Sequence, residues 1–176
     1  MRIVPMRYDH PDAVRLNDAV QREYAVRYGD EGDVTPLDPS MFAPPRGVYL
    51  LAYDEAGEPV ATGGWRTQED PEEGYLTGDA EIKRMYVIPE ARGRGLARRI
   101  LALLEEDARA AGRVRMVLET GIEQPEAMEL YASSGYAPLP ESDKFGLYRF
   151  KEESRCYAKP LQSPAVPEAA PGTSPG

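Results

Sequence analysis

The chain has 176 residues, enough for one domain with a single buried core. Its 30 acidic against 21 basic residues leave a net charge of -9, which excludes a general binder of nucleic-acid phosphates. The acidity leans toward a cationic substrate, although it also serves solubility alone.

Residues 2–8, RIVPMRY, suit a first strand. From about Pro11 to Arg27, Ala13, Leu16, Val20 and Tyr24 recur at helical spacing between charged residues, which predicts an amphipathic helix. Residues 29–47 are rich in Pro, Gly and Asp and read as a long loop with one helical turn at most. Two apolar runs, 48–53 and 59–66, flank the turn signal Asp54-Glu55-Ala56-Gly57 and predict a hairpin. An acidic loop follows over 67–79. AEIKRMYVI, 80–88, is a further strand, stopped by Pro89. A helix is predicted from about Arg94 to Ala111, with Leu96, Ile100, Leu103, Leu104, Ala108 and Ala111 on one face and Gly112 closing it. VRMVLET, 114–120, is a strand. QPEAMELYASSGY is a short helix with Pro125 in its first turn and Gly135 at its end. FGLYRF, 145–150, and SRCYAKPL, 154–161, read as a closing hairpin. The stretch 162–176 is Pro, Ala, Gly and Ser with little to bury, and reads as a disordered tail on a single domain over 1–161. The order β-α-β-β-β-α-β-α-β-β predicts an α/β fold with a mixed sheet.

The lone Cys156 can form no internal disulfide and reads as buried core. The only histidine, His10, stands at a helix start, where capping or surface exposure suits it; one His and one Cys make no metal site. Trp65 suits the core or the wall of a cleft. No apolar run approaches the roughly 18–20 residues that span a membrane, and the N-terminus lacks the apolar core of a signal peptide. A soluble cytoplasmic protein is expected.

The most informative stretch is IPEARGRGLARRIL, 88–101. A strand runs into a turn containing Arg92, Gly93, Arg94 and Gly95, and the turn opens a helix. A helix N-terminus has unpaired N–H groups and the positive end of the macrodipole. Glycines let an anion approach the backbone, and arginines supply fixed positive charge. The pattern therefore reads as a diphosphate cradle, or as a basic helix start with no ligand. The run Gly93-x-Gly95-x-Ala97 lacks the spacing of a P-loop and of the dinucleotide fingerprint.

RGRGLA, Arg92 to Ala97, resembles the acyl-CoA motif Q/R-x-x-G-x-G/A of the GNAT N-acetyltransferase superfamily. Downstream, LETGIEQPEAMELYASSGY resembles that family's strand, helix and LYxxxGY/F segment. The resemblance covers about 46–161 and implies a GNAT-like sheet with two splayed parallel strands. It implies that acetyl-CoA is the acyl donor, with no metal. Its diphosphate would lie on the turn over Arg92, Gly93, Arg94, Gly95, Leu96 and Ala97, and its pantetheine along Met85, Tyr86 and Val87. Gln124 stands where many members carry an Asn that bonds the pantetheine.

The resemblance makes Tyr131 the acid that protonates the leaving thiolate. Read without it, Tyr131 is a core tyrosine on the Ala127-Leu130-Tyr131-Ser134 face. Glu81 is the first candidate base and Glu119 the second; a raised pKa would improve either. Glu119 could instead bind a cationic substrate, or both could simply pair with Lys83 or Arg84. The expected reaction is direct acetyl transfer to an amine of a small molecule. A peptide or protein acceptor, and an acyl-CoA-binding module without activity, stay open. Members of the family often form homodimers; no apolar patch marking such a face is readable here.

Overall fold

A computed structural model describes residues 1–29, 35–121 and 125–161. Gln124 and the stretch 162–176 lie outside the described residues, as do 30–34 of the long loop.

The elements are β1 (Arg2–Pro5), α1 (Pro11–Tyr28), β2 (Gly47–Tyr53), β3 (Pro59–Thr67), β4 (Asp79–Val87), α2 (Leu96–Ala110), β5 (Arg115–Gly121), α3 (Pro125–Ser133), β6 (Ala137–Pro138) and β7 (Ser154–Pro160). The strands form one seven-stranded sheet in the order β1-β2-β3-β4-β5-β7-β6. Every neighbouring pair is antiparallel except β4 with β5.

Period-two alternation sends side chains to two different layers. Val48, Leu50 and Ala52 of β2 face one cluster, together with Ile100, Leu101 and Leu104 of α2 and Tyr131 of α3. Tyr49, Leu51 and Tyr53 face the other side, against Ala13 and Leu16 of α1 and against Phe42. Further along that second face, Tyr75, Phe145 and Cys156 surround Val117 of β5. Trp65 belongs wholly to the core: it is fully buried, and its indole N–H donates to Asp107 at 2.8 Å. His10 caps α1 by accepting the Asp12 N–H at 3.1 Å.

Two expectations are corrected. Residues 145–150 are a turn rather than a strand. Gly146 has φ 91°, and the backbone closes on itself through Arg149 N–H to Gly146 C=O and Lys151 N–H to Tyr148 C=O. Phe145 is buried while Leu147 and Phe150 are exposed, so the stretch presents no continuous face to a sheet. The outer partner of β7 is instead the short β6. On α2 the inward residue is Leu101 rather than Leu103, which is 40% exposed.

The feature that makes room for a site is the pairing of β4 with β5. It is confined to Asp79, Ala80 and Glu81 against Arg115, Met116 and Val117. Just beyond, Lys83 pairs with Gly64 and Tyr86 with Thr62, so two β4 residues oppose the single Gly63. This bulge holds Arg84 at φ 61°, and bulges bend and twist the strand that carries them. Past it, β4 has β3 on one side and, among the described residues, no strand partner on the other.

Candidate active site

A cavity of about 300 Å³ lies along the unpartnered side of β4, at the lower end of typical ligand pockets. Met85, Tyr86 and Val87 line it, as do Arg92, Gly93, Gly95, Leu96 and Ala97 of the turn and Tyr131 of α3. The structure thus brings together most of the residues that the motif singled out. Arg94 is exposed and is not among the lining residues.

The turn has the form an anion needs. Gly93 and Gly95 have φ 82° and 74°, and space around both is open. Gly95 is the N-cap of α2, and no side chain caps that helix. The first amides of α2 are therefore left for a ligand. Arg92 is held in place: its Nε donates to the Val87 carbonyl at 3.1 Å, and its guanidinium stands 5.9 Å from the Tyr86 ring centre. These open, unfilled donors fit the diphosphate of an acyl-CoA, and the free side of β4 fits its amide-bearing arm.

Tyr131 is buried, edge-on to Tyr136 at 5.6 Å. Burial, with a smaller contribution from Tyr24, raises its pKa above the usual phenol value. The hydroxyl therefore stays protonated and available to donate.

The two glutamates lie outside the lining of this cavity, on the face shared with Tyr75 and Val117. Glu81 is 2% exposed and fully engaged. Its Oε1 accepts from Arg66 Nε and Nη2, both at 2.9 Å, and its Oε2 accepts from the Tyr75 hydroxyl. The partners of Glu81 are thus Arg66 and Tyr75, not the Lys83 or Arg84 of the alternative reading. Glu119 is half-buried, and Ser154 Oγ donates to its Oε2 at 2.6 Å. Burial chiefly pushes its pKa up to about 7, and the Glu81 charge adds to the rise; the Ser154 hydrogen bond and Lys83 oppose it. Gly146 leaves the space that Glu119 occupies: a Cβ there would stand 2.8 Å from Glu119 Oε1 and 3.3 Å from the Tyr75 hydroxyl. Cys156 is inert, its thiol pushed up to about 12 by burial and donating to the Phe145 carbonyl at 3.4 Å.

Several residues here carry no sequence signal. Arg66, Tyr75, Gly146 and Ser154 come from four separate segments, and only the fold assembles them. Glu23 and Glu126 also line the cavity. Glu23 was hidden beside Val20 and Tyr24, whose spacing is accounted for by packing. Among the described residues no cluster of His, Cys, Asp and Glu is placed to hold a metal, and no helix is long and apolar enough to cross a membrane.

Residues 13–136 match the acetyltransferase (GNAT) family. An "IAA acetyltransferase" of Azospirillum brasilense is 37% identical over 83% of this chain and 93% of its own. A crystal structure of an acyl-CoA N-acyltransferase from Klebsiella pneumoniae superposes with a TM-score of 0.71 at 27% identity, covering 92% of this chain and 97% of the other. An N-acetylglutamate synthase from Neisseria gonorrhoeae, solved with coenzyme A and N-acetyl-glutamate, shares the fold at TM-score 0.64 and 15% identity, covering 92% of this chain and 36% of the other. The chain belongs to the GNAT acetyltransferase family and is an N-acetyltransferase of the acyl-CoA-using fold.

Proposed function

We propose that the protein transfers the acetyl group of acetyl-CoA directly to the amine of a small molecule. The observation that carries this reading is one cavity beside β4 that is lined both by the open Gly93–Gly95 turn and by the Tyr131 side chain. Arg92 and the amides at the start of α2 hold the diphosphate. The backbone of Met85, Tyr86 and Val87 on the side of β4 away from β3 takes the pantetheine amides. This places the thioester near Tyr131.

Glu119 removes a proton from the incoming ammonium, directly or through water. The amine nitrogen then attacks the thioester carbonyl; a C–N bond forms and the C–S bond breaks. Tyr131 gives its proton to the departing thiolate. Glu119 suits the base role better than Glu81, because Arg66 and Tyr75 occupy the Glu81 oxygens. A base poised near neutrality also balances ionised fraction against basicity.

A small acceptor is favoured by the closed flank of the carboxylate pair. Gly146 N–H donates to Glu73 C=O at 2.9 Å and Arg149 Nη2 to Glu72 C=O at 3.3 Å, so the 71–78 and 144–150 loops are clasped together. The test is release of free thiol from acetyl-CoA against a panel of polyamines, amino acids, aminoglycosides and peptides. Turnover with one or more of the small amines is expected. Turnover with peptides alone would replace the small-molecule reading with a protein-directed one.

A further inference from the structure

Glu23 is out of place by charge. It lines a cavity whose natural occupant is an anion, and so does Glu126. A diphosphate brought to this mouth would meet two carboxylates. Yet Glu23 is not loose: Arg92 Nη2 lies 3.2 Å from its Oε2 and 3.4 Å from its Oε1. On its other side Arg27, one turn on along α1, donates to Oε1 at 2.9 Å. Arg27 in turn reaches Glu126 of α3 at 2.6 Å. The charges alternate, Arg92-Glu23-Arg27-Glu126, and tie the turn before α2 to α1 and then to α3.

We propose that Glu23 is an affinity-determining residue of the donor site, an internal stand-in that holds Arg92 until the cofactor diphosphate displaces it. The inference rests on the acyl-CoA reading of the cavity. The exchange is balanced in charge: Arg92 passes from carboxylate to phosphate, and Glu23 keeps Arg27 and is not left unpaired. Until displaced, Glu23 keeps the Arg92 guanidinium close to where it will be used, which limits the ordering that binding requires. The carboxylate also competes with the ligand, so it weakens binding while it shapes the site. Arg92 is 43% exposed and Glu23 26%, so the competition has the size of a partly solvated ion pair.

Calorimetry with acetyl-CoA and with S-acetyl-pantetheine, which lacks the diphosphate, separates the parts. Glu23→Gln is expected to tighten acetyl-CoA by about two- to fivefold, the span of an exposed pair. It should leave S-acetyl-pantetheine unchanged, and the difference should shrink at high salt. Arg27→Gln should act in the opposite direction on acetyl-CoA, because Arg27 then no longer shares the Glu23 carboxylate with Arg92. Unchanged or weaker acetyl-CoA binding by Glu23→Gln would overturn the inference, as would an equal change for both ligands, which would mark a merely structural role in seating α1. Wild-type protein that fails to bind acetyl-CoA at all would overturn the donor-site reading itself, and this inference with it.

Discussion

Glu119 and Glu81 lie on neighbouring strands of one sheet face, yet their surroundings give them different work. Arg66 and Tyr75 engage both Glu81 oxygens, whereas Glu119 accepts from the Ser154 hydroxyl and has a pKa raised to about 7. Catalysis that uses Glu119 as base therefore rises with pH through about 7, and kcat/KM for an amine acceptor is expected to lose that limb in Glu119→Gln. A profile that keeps the limb in the variant would assign it to another group. Stability should move the other way. A carboxyl whose folded pKa is raised contributes stability below its ordinary pKa, and this is lost as pH rises through about 7. Glu119→Gln should therefore melt above wild type at pH 8, with the difference vanishing toward pH 4. Gly146 is the glycine on which this geometry depends. Gly146→Ala puts a Cβ 2.8 Å from Glu119 Oε1, at φ 91° where side chains are strained by about 1–2 kcal/mol. Activity should fall further than the Tm alone explains; full kcat in the variant would show that Glu119 can move without consequence.

Strand β4 is the element on which the proposed donor binding depends. At its base Asp79 is fully buried and takes two 2.8 Å bonds from Arg115 Nε and Nη2, plus the Leu76 N–H at 2.8 Å. This clamp closes the first of the three paired rungs, at the end of the β4–β5 pairing away from where the strands part. Asp79→Ala should cost about 3 kcal/mol, the low end for a broken buried pair because Arg115 keeps some solvent. Thermal unfolding should fall by roughly 6–12 °C; an unchanged Tm would mean that the clamp adds nothing to the sheet. At the other end of the element, Arg92→Ala should weaken acetyl-CoA about tenfold, near 1.5 kcal/mol. The low figure reflects the Glu23 contact given up on binding. Undiminished affinity would remove Arg92 from the donor site. The Gly/Arg turn was legible because the requirement for positive φ and open backbone is written in the residue types themselves. The apolar run of β2 and the helical stripe of α1 were legible from residue type and spacing alone. Residues 145–150 misled because their aromatic content suits a strand, while the positive φ of Gly146 and the hydrogen bonds that close the turn appear only in three dimensions. Leu101 and Leu103 both lie near the apolar face of α2, and only the position of the sheet decides which one it buries.

At the scale of the molecule, under the proposed reading the two substrates lie on different faces of the sheet: the donor along the unpaired side of β4 by α2 and α3, the carboxylates on the face shared with Tyr75 and Val117. Helix α1 touches both regions, through Asn17 with Tyr49 at 3.0 Å and Asp12 with Tyr53 at 2.7 Å on one side and Glu23 with Arg92 on the other. The division was not legible in the sequence, because Glu81, Glu119, Tyr75 and Ser154 are spread over some 80 residues and meet only through the order of the strands. The chemistry must cross from one region to the other where β4 and β5 part, and Tyr131 is the group that belongs to the donor side of that crossing. Steady-state kinetics of Tyr131→Phe with the acceptor found by the amine panel, paired with acetyl-CoA calorimetry, therefore tests the account most directly. The variant keeps the ring and its place in the core and loses only the hydroxyl. The account predicts a kcat lower by about 10²–10⁴, the span of a general acid, with acetyl-CoA affinity nearly unchanged because the lost contact belongs to the transition state. Full kcat in Tyr131→Phe would contradict it.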